Sequence, residues 1–95
     1  MRYEWDNRKA AANLRKHGVD FTDAIAVLED PNRLEQVDTR FLYDEERIQV
    51  IGMARRKVLF VVATLPGADS CRIISARKAT RNEQDRYYAG ERETW

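Results

Sequence analysis

The residues of this chain best suited to chemistry are cations, and most of them lie in its second half. Residues 47–81 contain eight lysines and arginines against a single acidic residue, Asp69. A basic block of this kind favours a polyanionic partner, with plain surface solubility as the alternative interpretation. Tyr87 and Tyr88 follow the block, and such rings either stack on unpaired nucleic-acid bases or pack at the edge of a core.

Cleavage of RNA without a metal needs little more than the side-chain types found here. A base takes the proton of a 2′-hydroxyl, cations stabilise the phosphate and its developing charge, and an acid protonates the leaving oxygen. Arginine suits the phosphate because its planar fork bonds two oxygens at once. The residues available for these roles are Arg47, Arg72, Arg77, Lys78, Arg81, Tyr87 and Tyr88.

Other kinds of site are excluded or disfavoured by the composition. One histidine and one cysteine cannot form a zinc cluster, and the chain has no glycine-rich phosphate loop, so we predict neither a metal nor a cofactor. Cys71 opens a predicted apolar strand and is expected to be packed, with a Cys-His nucleophile pair as the alternative. His17 is expected to close a helix, with general base as the alternative role.

The remaining bulk properties indicate a cytoplasmic protein. A single cysteine allows no intrachain disulfide, which fits a reducing compartment. The first residues, Met1 to Asp6, lack the apolar segment of a signal peptide. The longest apolar run, Val58 to Leu65, is far too short to span a bilayer, so no membrane association is predicted.

Two helices are predicted in the first third of the chain. The first spans residues 7–17, with Asp6 as its N-cap, Gly18 as the residue that ends it, and a buried stripe of Ala10 and Leu14. The second spans residues 21–29 and ends before a proline. Its apolar face has i, i+3, i+4, i+7 spacing and consists of Phe21, Ala24, Ile25 and Leu28.

The strand pattern is strongest in the middle of the chain. Residues 58–65 are β-branched and apolar on both faces, which indicates a central strand, and residues 47–53 alternate as its neighbour. A polar hairpin loop at residues 54–57 joins the two. Weaker strands are predicted at residues 3–5 and, as an edge strand, at 33–39, with turns at 43–45 and 66–69.

The last predicted strand runs directly into a helix. Thr80 and Glu83 have the spacing of a capping box, which starts a helix that reaches to about residue 88 or 90. Four cations surround this junction, with no acidic residue before Glu83: Arg72, Arg77, Lys78 and Arg81. Because helix N-termini and guanidinium clusters both attract anions, a phosphate site is predicted here, against ordinary solvated charge.

The predicted elements make one domain, residues 1–95, of the α+β class. We predict a twisted antiparallel sheet in which residues 47–53, 58–65 and 71–77 form adjacent strands in that order. Helices from both ends of the sequence are expected to cover one face, because a strand meander alone would leave an apolar side in water.

Several short motifs along the chain resemble those of the BrnT toxin family. They are Glu4-Trp5-Asp6, Lys9-Ala10, Asn13 to Val19 (NLRKHGV), Phe21, Asp30-Pro31, Glu46-Arg47, Ile51-Gly52 and Arg72 to Ala79 (RIISARKA). Together they extend over nearly the whole chain, and their combination in this order is highly specific. Position 28, where the family commonly has phenylalanine, is a leucine here.

The resemblance implies a RelE-like fold and the function of a toxin in a bacterial type II toxin–antitoxin system. RelE-like toxins cleave RNA without a metal, through lysine, arginine and tyrosine side chains, and so inhibit translation and growth. The implied partners are the RNA substrate and a BrnA-like antitoxin with a ribbon-helix-helix DNA-binding domain. The toxin–antitoxin complex is implied to repress its own promoter by binding operator DNA.

The family's recurrent polar positions match Lys9, His17, Arg47, Arg72, Ser75 and Arg77 of this chain. The catalytic candidates are then Lys9, His17, Arg47, Arg77 and Tyr87, and the phosphate-binding candidates are Arg55, Arg56, Arg72, Lys78 and Arg81. Arg77 is expected to matter more than the arginines of the hairpin loop, since its strand holds it in place. A non-catalytic module that binds nucleic acid or a partner is the alternative, because one basic patch serves binding and cleavage equally.

Overall fold

The structure, a computed structural model, describes residues 1–38 and 46–91. Every predicted helix and strand is present, and the turn predicted at residues 43–45 lies outside the described residues. The elements are β1 (Arg2–Glu4), α1 (Asn7–His17), α2 (Phe21–Leu28), β2 (Leu34–Val37), β3 (Glu46–Ala54), β4 (Lys57–Gly67), β5 (Ser70–Lys78) and α3 (Arg81–Ala89).

The strands form one five-stranded sheet in the order β1-β5-β4-β3-β2. The predicted adjacency of β3, β4 and β5, with β4 inside the sheet, is confirmed, and the pairs from β2 to β5 are antiparallel. The expectation of a purely antiparallel sheet is wrong for β1, which pairs with β5 in parallel. The chain returns to β5 only after both helices and three strands, so β1 and β5 are free to run in the same direction.

The two N-terminal helices pack on one face of the sheet. Their buried residues and the alternate residues of β3, β4 and β5 form the larger core cluster, which includes Phe21, Ala24, Val27, Val50, Val61 and Ile73. Gly52 is required where α2 crosses β3, because a Cβ at that position would lie 2.9 Å from the carbonyl oxygen of Val27.

The third helix packs on the opposite face, so the expectation that all helices share one face is wrong. Its buried Tyr87 joins a second core cluster with Leu34, Ile51, Val58 and Ala79. Ile51 lies between Val50 and Gly52, which face the N-terminal helices, and successive strand residues point to opposite faces. Because this end of the sheet is apolar on both faces, each face requires its own cover.

The predicted buried stripe of α1 is wrong at Leu14, whose surface is 48% exposed. The inward position belongs instead to Asn13, which is 7% exposed. Its amide donates to the carbonyl oxygens of Val19 and Ala76, over 3.0 and 2.8 Å, and accepts from the Ala76 N–H over 3.1 Å. Beyond the end of short β1, the Asn13 side chain thus bonds the backbone of β5 as a neighbouring strand would. A hydrophobic pattern does not reveal this role.

A bulge in β5 changes which of its residues share a face. Val62 pairs with Ser75 whereas Ala63 pairs with Ile73, so Ile74 is an extra residue on β5. Arg72 and Arg77, five positions apart, would point to opposite faces of a regular strand. With the bulge between them, both project from the face that carries α3.

The helix ends follow the predicted capping residues. The Asp6 carboxylate accepts from the N–H groups of Arg8 and Lys9, and Gly18 ends α1 with a φ of 69°. Among the helices of the described residues, none combines the length and the apolar character that a transmembrane segment needs.

Candidate functional site

A row of polar side chains crosses the sheet on the α3 face, beyond the residues that α3 covers. The strand register places Arg47 of β3 opposite Thr64 of β4, and Thr64 opposite Arg72 of β5. Arg72 is in turn aligned with Glu4 of β1. Residues aligned in this way project from the same face, with neighbouring strands about 5 Å apart. These four residues, the polar row, therefore place two guanidinium groups and one carboxylate along a single line.

A shallow depression at the β1 edge of the sheet brings Lys9 of α1 close to one end of the polar row. Its lining consists of Glu4, Trp5, Asp6, Lys9 and Arg72. Nη2 of Arg72 donates to Oε1 of Glu4 over 3.0 Å, and the two side chains are 47% and 36% exposed. The ring of Trp5 packs edge-on against Phe21 with centroids 6.1 Å apart, which fixes one wall. A carboxylate, an ammonium and a guanidinium thus meet at a solvent-accessible edge.

Arg77 lies on the same face but under α3, where it forms a bidentate ion pair with Glu83. Its Nη1 and Nη2 donate to the two carboxylate oxygens of Glu83, over 2.9 and 3.1 Å. Nη1 also donates to the carbonyl oxygen of Lys78 over 3.1 Å, and the guanidinium carbon lies 4.1 Å from the centroid of the Phe60 ring. Arg77 therefore fastens α3 to β4 and β5, and Glu83 balances its charge.

The N-terminus of α3, where the sequence predicted a phosphate, is occupied by the chain's own carboxylate. Oε1 of Glu83 accepts from the Thr80 N–H over 2.8 Å, and Oγ1 of Thr80 accepts from the Glu83 N–H, which confirms the capping box. Burial opposes ionisation of Glu83, but the hydrogen bonds from Arg77 and Thr80 outweigh it and lower the pKa of this carboxyl. Glu83 is consequently an ionised structural group at neutral pH.

Tyr87, a catalytic candidate by sequence, is also engaged in packing α3. Its hydroxyl donates to Oδ2 of Asp30, and the same oxygen accepts from the Met53 N–H over 2.8 Å. Burial and this hydrogen bond raise the pKa of Tyr87 to about 12. Burial opposes ionisation of Asp30, yet the hydrogen bonds from Tyr87, Asn32 and Met53 lower the pKa of its carboxyl. Asp30 thus joins the end of α2, β3 and α3 at one carboxylate.

A second basic region lies at the far end of the sheet, around the β3–β4 hairpin. Arg55 and Arg56 form its two-residue tip with positive φ angles of 49° and 66°, a conformation that glycine or asparagine adopts more readily. Nε of Arg55 lies 3.0 Å from Oδ1 of Asp23, and its side chain is 80% exposed. Lys78 lines a pocket beside Arg55 and Lys57.

The remaining candidates are distant from the polar row or unsuited to catalysis. Arg81, at the start of α3, pairs with Asp85 one helical turn later over 3.3 Å. His17 is the last residue of α1, as predicted. Burial raises the pKa of the Cys71 thiol, and Cys71 is 1% exposed, which disfavours a thiolate nucleophile.

Of the sequence-predicted residues, the structure brings together Lys9 and Arg72, and it places Arg47 on the same face two strands from Arg72. It places Arg77 and Tyr87 under α3, and Arg55, Arg56 and Lys78 at the opposite end of the sheet. Glu4 is not among the sequence-predicted site residues, because its partner Arg72 lies 68 positions away in the chain. The signal available was its place in the Glu4-Trp5-Asp6 motif of the family resemblance.

The fold and this surface define a small α+β domain with a basic polar row at an open sheet edge. A family model described as the ribonuclease toxin BrnT of a type II toxin–antitoxin system matches residues 5–83. The chain belongs to this BrnT family of ribonuclease toxins. The RelE-like α+β architecture and the family expected from the sequence motifs are thereby confirmed.

One similar solved structure is the 1.1 Å crystal structure of the Brucella abortus ribonuclease toxin BrnT. The two chains are 27% identical and superpose with a TM-score of 0.62. The match covers 85% of this chain and 99% of that one. Among curated proteins, none is significantly similar to the chain.

Proposed function

We propose that this protein is a cytoplasmic toxin that cleaves RNA without a metal, and that the polar row with Lys9 is its active site. The observation that carries the proposal is that Glu4, Lys9 and Arg72 line one depression at the β1 edge, with Arg47 on the same face of the sheet two strands from Arg72. Two fork-shaped cations and a carboxylate are the groups that phosphodiester cleavage requires.

The proposed reaction uses the 2′-hydroxyl of the substrate as its nucleophile. Arg47 and Arg72 hold the non-bridging oxygens of the phosphate and stabilise the charge that develops on them. The Glu4 carboxylate, already within 3.0 Å of Arg72, accepts the 2′-hydroxyl proton as the 2′-oxygen bonds to phosphorus. The Lys9 ammonium gives a proton to the departing 5′-oxygen. The products are a 2′,3′-cyclic phosphate and a free 5′-hydroxyl.

The test is cleavage of labelled RNA by the purified protein, with and without a chelator. Wild type is expected to cut in both conditions and to leave cyclic phosphate ends. Glu4→Gln and Lys9→Met, which remove the proposed base and acid, should each slow cutting by about a hundredfold. Arg2→Ala, an exposed arginine of β1 outside the depression, is the matched control. Cutting that stops with the chelator would overturn the metal-free mechanism.

The proposed protein partner is an antitoxin with a ribbon-helix-helix DNA-binding domain that covers the polar row. An acidic segment occupying the cations would inhibit directly, and its association would be steered by charge. Association should therefore slow as salt rises, and the complex should bind operator DNA. An association rate that is the same from low salt to about 0.5 M would contradict this route of inhibition.

A second candidate function, a binding module without catalysis, is favoured by one observation. Arg77 and Tyr87, two of the five catalytic candidates, make hydrogen bonds that hold α3 in place. Expression of the protein alone separates the two functions. Growth arrest with loss of RNA, relieved by the antitoxin, supports the ribonuclease, whereas RNA binding with intact RNA supports the module.

A further inference from the structure

A buried hydroxyl without a partner lies in the middle of the polar row. Thr64 of β4 is 4% exposed, and its Oγ1 has no hydrogen-bond partner within residues 1–38 and 46–91. Most buried polar side chains do have such a partner, because an unpaired one has given up its bonds to water. The Thr64 hydroxyl therefore destabilises the fold, and a valine of the same shape would remove this penalty.

The other two threonines that the structure describes use their hydroxyl groups to cap helices. Oγ1 of Thr22 donates to Oδ1 of Asp20 over 3.0 Å, and Oγ1 of Thr80 accepts from the Glu83 N–H over 3.2 Å. Thr64 lies instead inside a strand, where its backbone pairs with β3 and β5 and its hydroxyl bonds nothing. The hydroxyl of Thr64 thus lacks the structural role that the other two have.

Both neighbours of Thr64 across the sheet are arginines, Arg47 on β3 and Arg72 on β5. The Cβ atoms of residues opposed in this way lie about 4.5–5.5 Å apart. A guanidinium group only donates hydrogen bonds, so neither arginine can accept the proton of the hydroxyl. Because threonine is much shorter than arginine, this proton lies at the base of the polar row, between two cations. The ligand that matches such a place is an anion with acceptor oxygens.

We infer that the Thr64 hydroxyl donates a hydrogen bond to a non-bridging oxygen of the phosphate held by Arg47 and Arg72. Two guanidinium groups that share one phosphate lie on either side of it, which separates the side chains above Thr64 and lets an oxygen reach the hydroxyl. The proton stays on Oγ1, so Thr64 binds and orients the phosphate without taking part in proton transfer. Arg72 also lines the depression with Glu4 and Lys9, which places this phosphate beside the proposed base and acid. The inference rests on the proposed ribonuclease function.

The experiment removes the hydroxyl and keeps the shape of the side chain. Cleavage of labelled RNA is measured for wild type, Thr64→Val, Thr64→Ser and the control Thr22→Val, which removes a hydroxyl that has a partner. Thr64→Ala takes the place of the valine variant if that protein does not fold. Urea unfolding gives the stability of each variant. Fluorescence anisotropy gives the affinity for an oligonucleotide with a deoxynucleotide at the cleavable position.

Thr64→Val should cut at least about tenfold more slowly than wild type, as expected for a lost hydrogen bond to a charged group. Its urea midpoint should equal or exceed that of wild type, because an unpaired buried hydroxyl has been removed. Thr64→Ser, which keeps a hydroxyl, should restore most of the rate. Thr22→Val should show the opposite pattern, an unchanged rate with a lower urea midpoint. A Thr64→Val protein that cuts as fast as wild type would overturn the inference and leave the ribonuclease proposal standing.

Sulfur in place of one non-bridging oxygen tests the contact itself, because sulfur accepts hydrogen bonds weakly. In wild type, sulfur at the contacted oxygen should slow cleavage, and in Thr64→Val this slowing should be several-fold smaller. Equal sulfur effects in the two proteins, for both diastereomers, would overturn the contact. If wild type does not cut, the comparison is made by affinity with the deoxynucleotide probe. A sulfur effect that depends on Thr64 would then uphold the phosphate contact and defeat the ribonuclease proposal, and its absence would overturn both.

Discussion

The α3 face of the sheet has two halves that contain the same kinds of residue and use them differently. In the covered half, Arg77 is bonded to both oxygens of Glu83, and Glu83 has a side chain that is only 16% exposed. In the open half, Arg72 donates to Glu4 over 3.0 Å, and both side chains are more than a third exposed. A bidentate, shielded pair stabilises the fold, whereas an exposed pair contributes little to stability.

This difference shows that residue type and charge do not assign a role to an arginine. From the sequence, Arg77 is the better candidate than Arg72 for a phosphate ligand, because it lies at the end of a strand beside a helix N-terminus. In the structure, the carboxylate of Glu83 occupies that helix N-terminus, and Arg72 lies in the more exposed half. Four predictions test the contrast, from the largest expected effect to the smallest.

Arg72→Ala should reduce the rate of RNA cleavage by about a hundredfold or more while the protein stays folded. In the proposed active site Arg72 binds the phosphate, and its exposed pair with Glu4 contributes less than about 1 kcal/mol to stability. Cleavage assays and thermal unfolding measure the two effects separately. Arg81→Ala is the matched control, since it also removes a surface ion pair and should leave the rate unchanged.

Arg77→Ala should destabilise the protein by about 2–3 kcal/mol, because it leaves the Glu83 carboxylate largely buried without its partner. Urea unfolding measures the loss, and a Glu83→Gln, Arg77→Ala double variant should lose less than the two single changes together. An unchanged urea midpoint with abolished cleavage would instead make Arg77 a phosphate ligand, as its place in the sequence suggested.

Acid should loosen the covered half first. The pKa values of Asp30 and Glu83 are lowered in the folded protein, so their contribution is complete above the ordinary carboxyl pKa and is lost as pH falls through the lowered values. The urea midpoint should therefore fall below about pH 5. Arg77→Ala should reduce this slope, since Glu83 then loses the main interaction that favours its ionised form. An identical slope in both proteins would show that other carboxylates dominate.

Tyr87→Phe should have the smallest effect, about 1 kcal/mol for the lost hydrogen bond to Asp30. A pKa raised to about 12 favours the neutral phenol in the folded state. Stability should accordingly be complete below about pH 10, the ordinary pKa of tyrosine, and fall between there and 12. In Tyr87→Phe, stability should fall less steeply over this alkaline range. Some decline should remain, because the pKa of Tyr3 is also raised to about 12 in the folded protein. A Tyr87→Phe protein that is folded but inactive would restore Tyr87 as a catalytic residue.

Most of the architecture followed from local patterns, and the misses have a common cause. Hydrophobic periodicity located the strands and helices, and capping chemistry placed the ends at Gly18 and Thr80. The exposure of Leu14 and the burial of Asn13 could not be predicted from hydrophobic periodicity. The reason is that α1 also forms hydrogen bonds, through Asn13, with the backbone of β5. The direction of β1 and the separate face of α3 likewise depend on contacts between distant segments.

The sequence by itself determined the α+β class, the strand neighbours and the family, because period, capping and motif order are local properties of the chain. It also supplied Lys9, Arg47 and Arg72 as candidates. Tertiary structure alone decided which cations lie close together. The extra residue Ile74 places Arg72 and Arg77 on one face of the sheet. The strand register then aligns Arg72 with Glu4 of β1 and Arg77 with Phe60 of β4. A side chain's partners come from segments far away in the chain, and only folding brings those segments together.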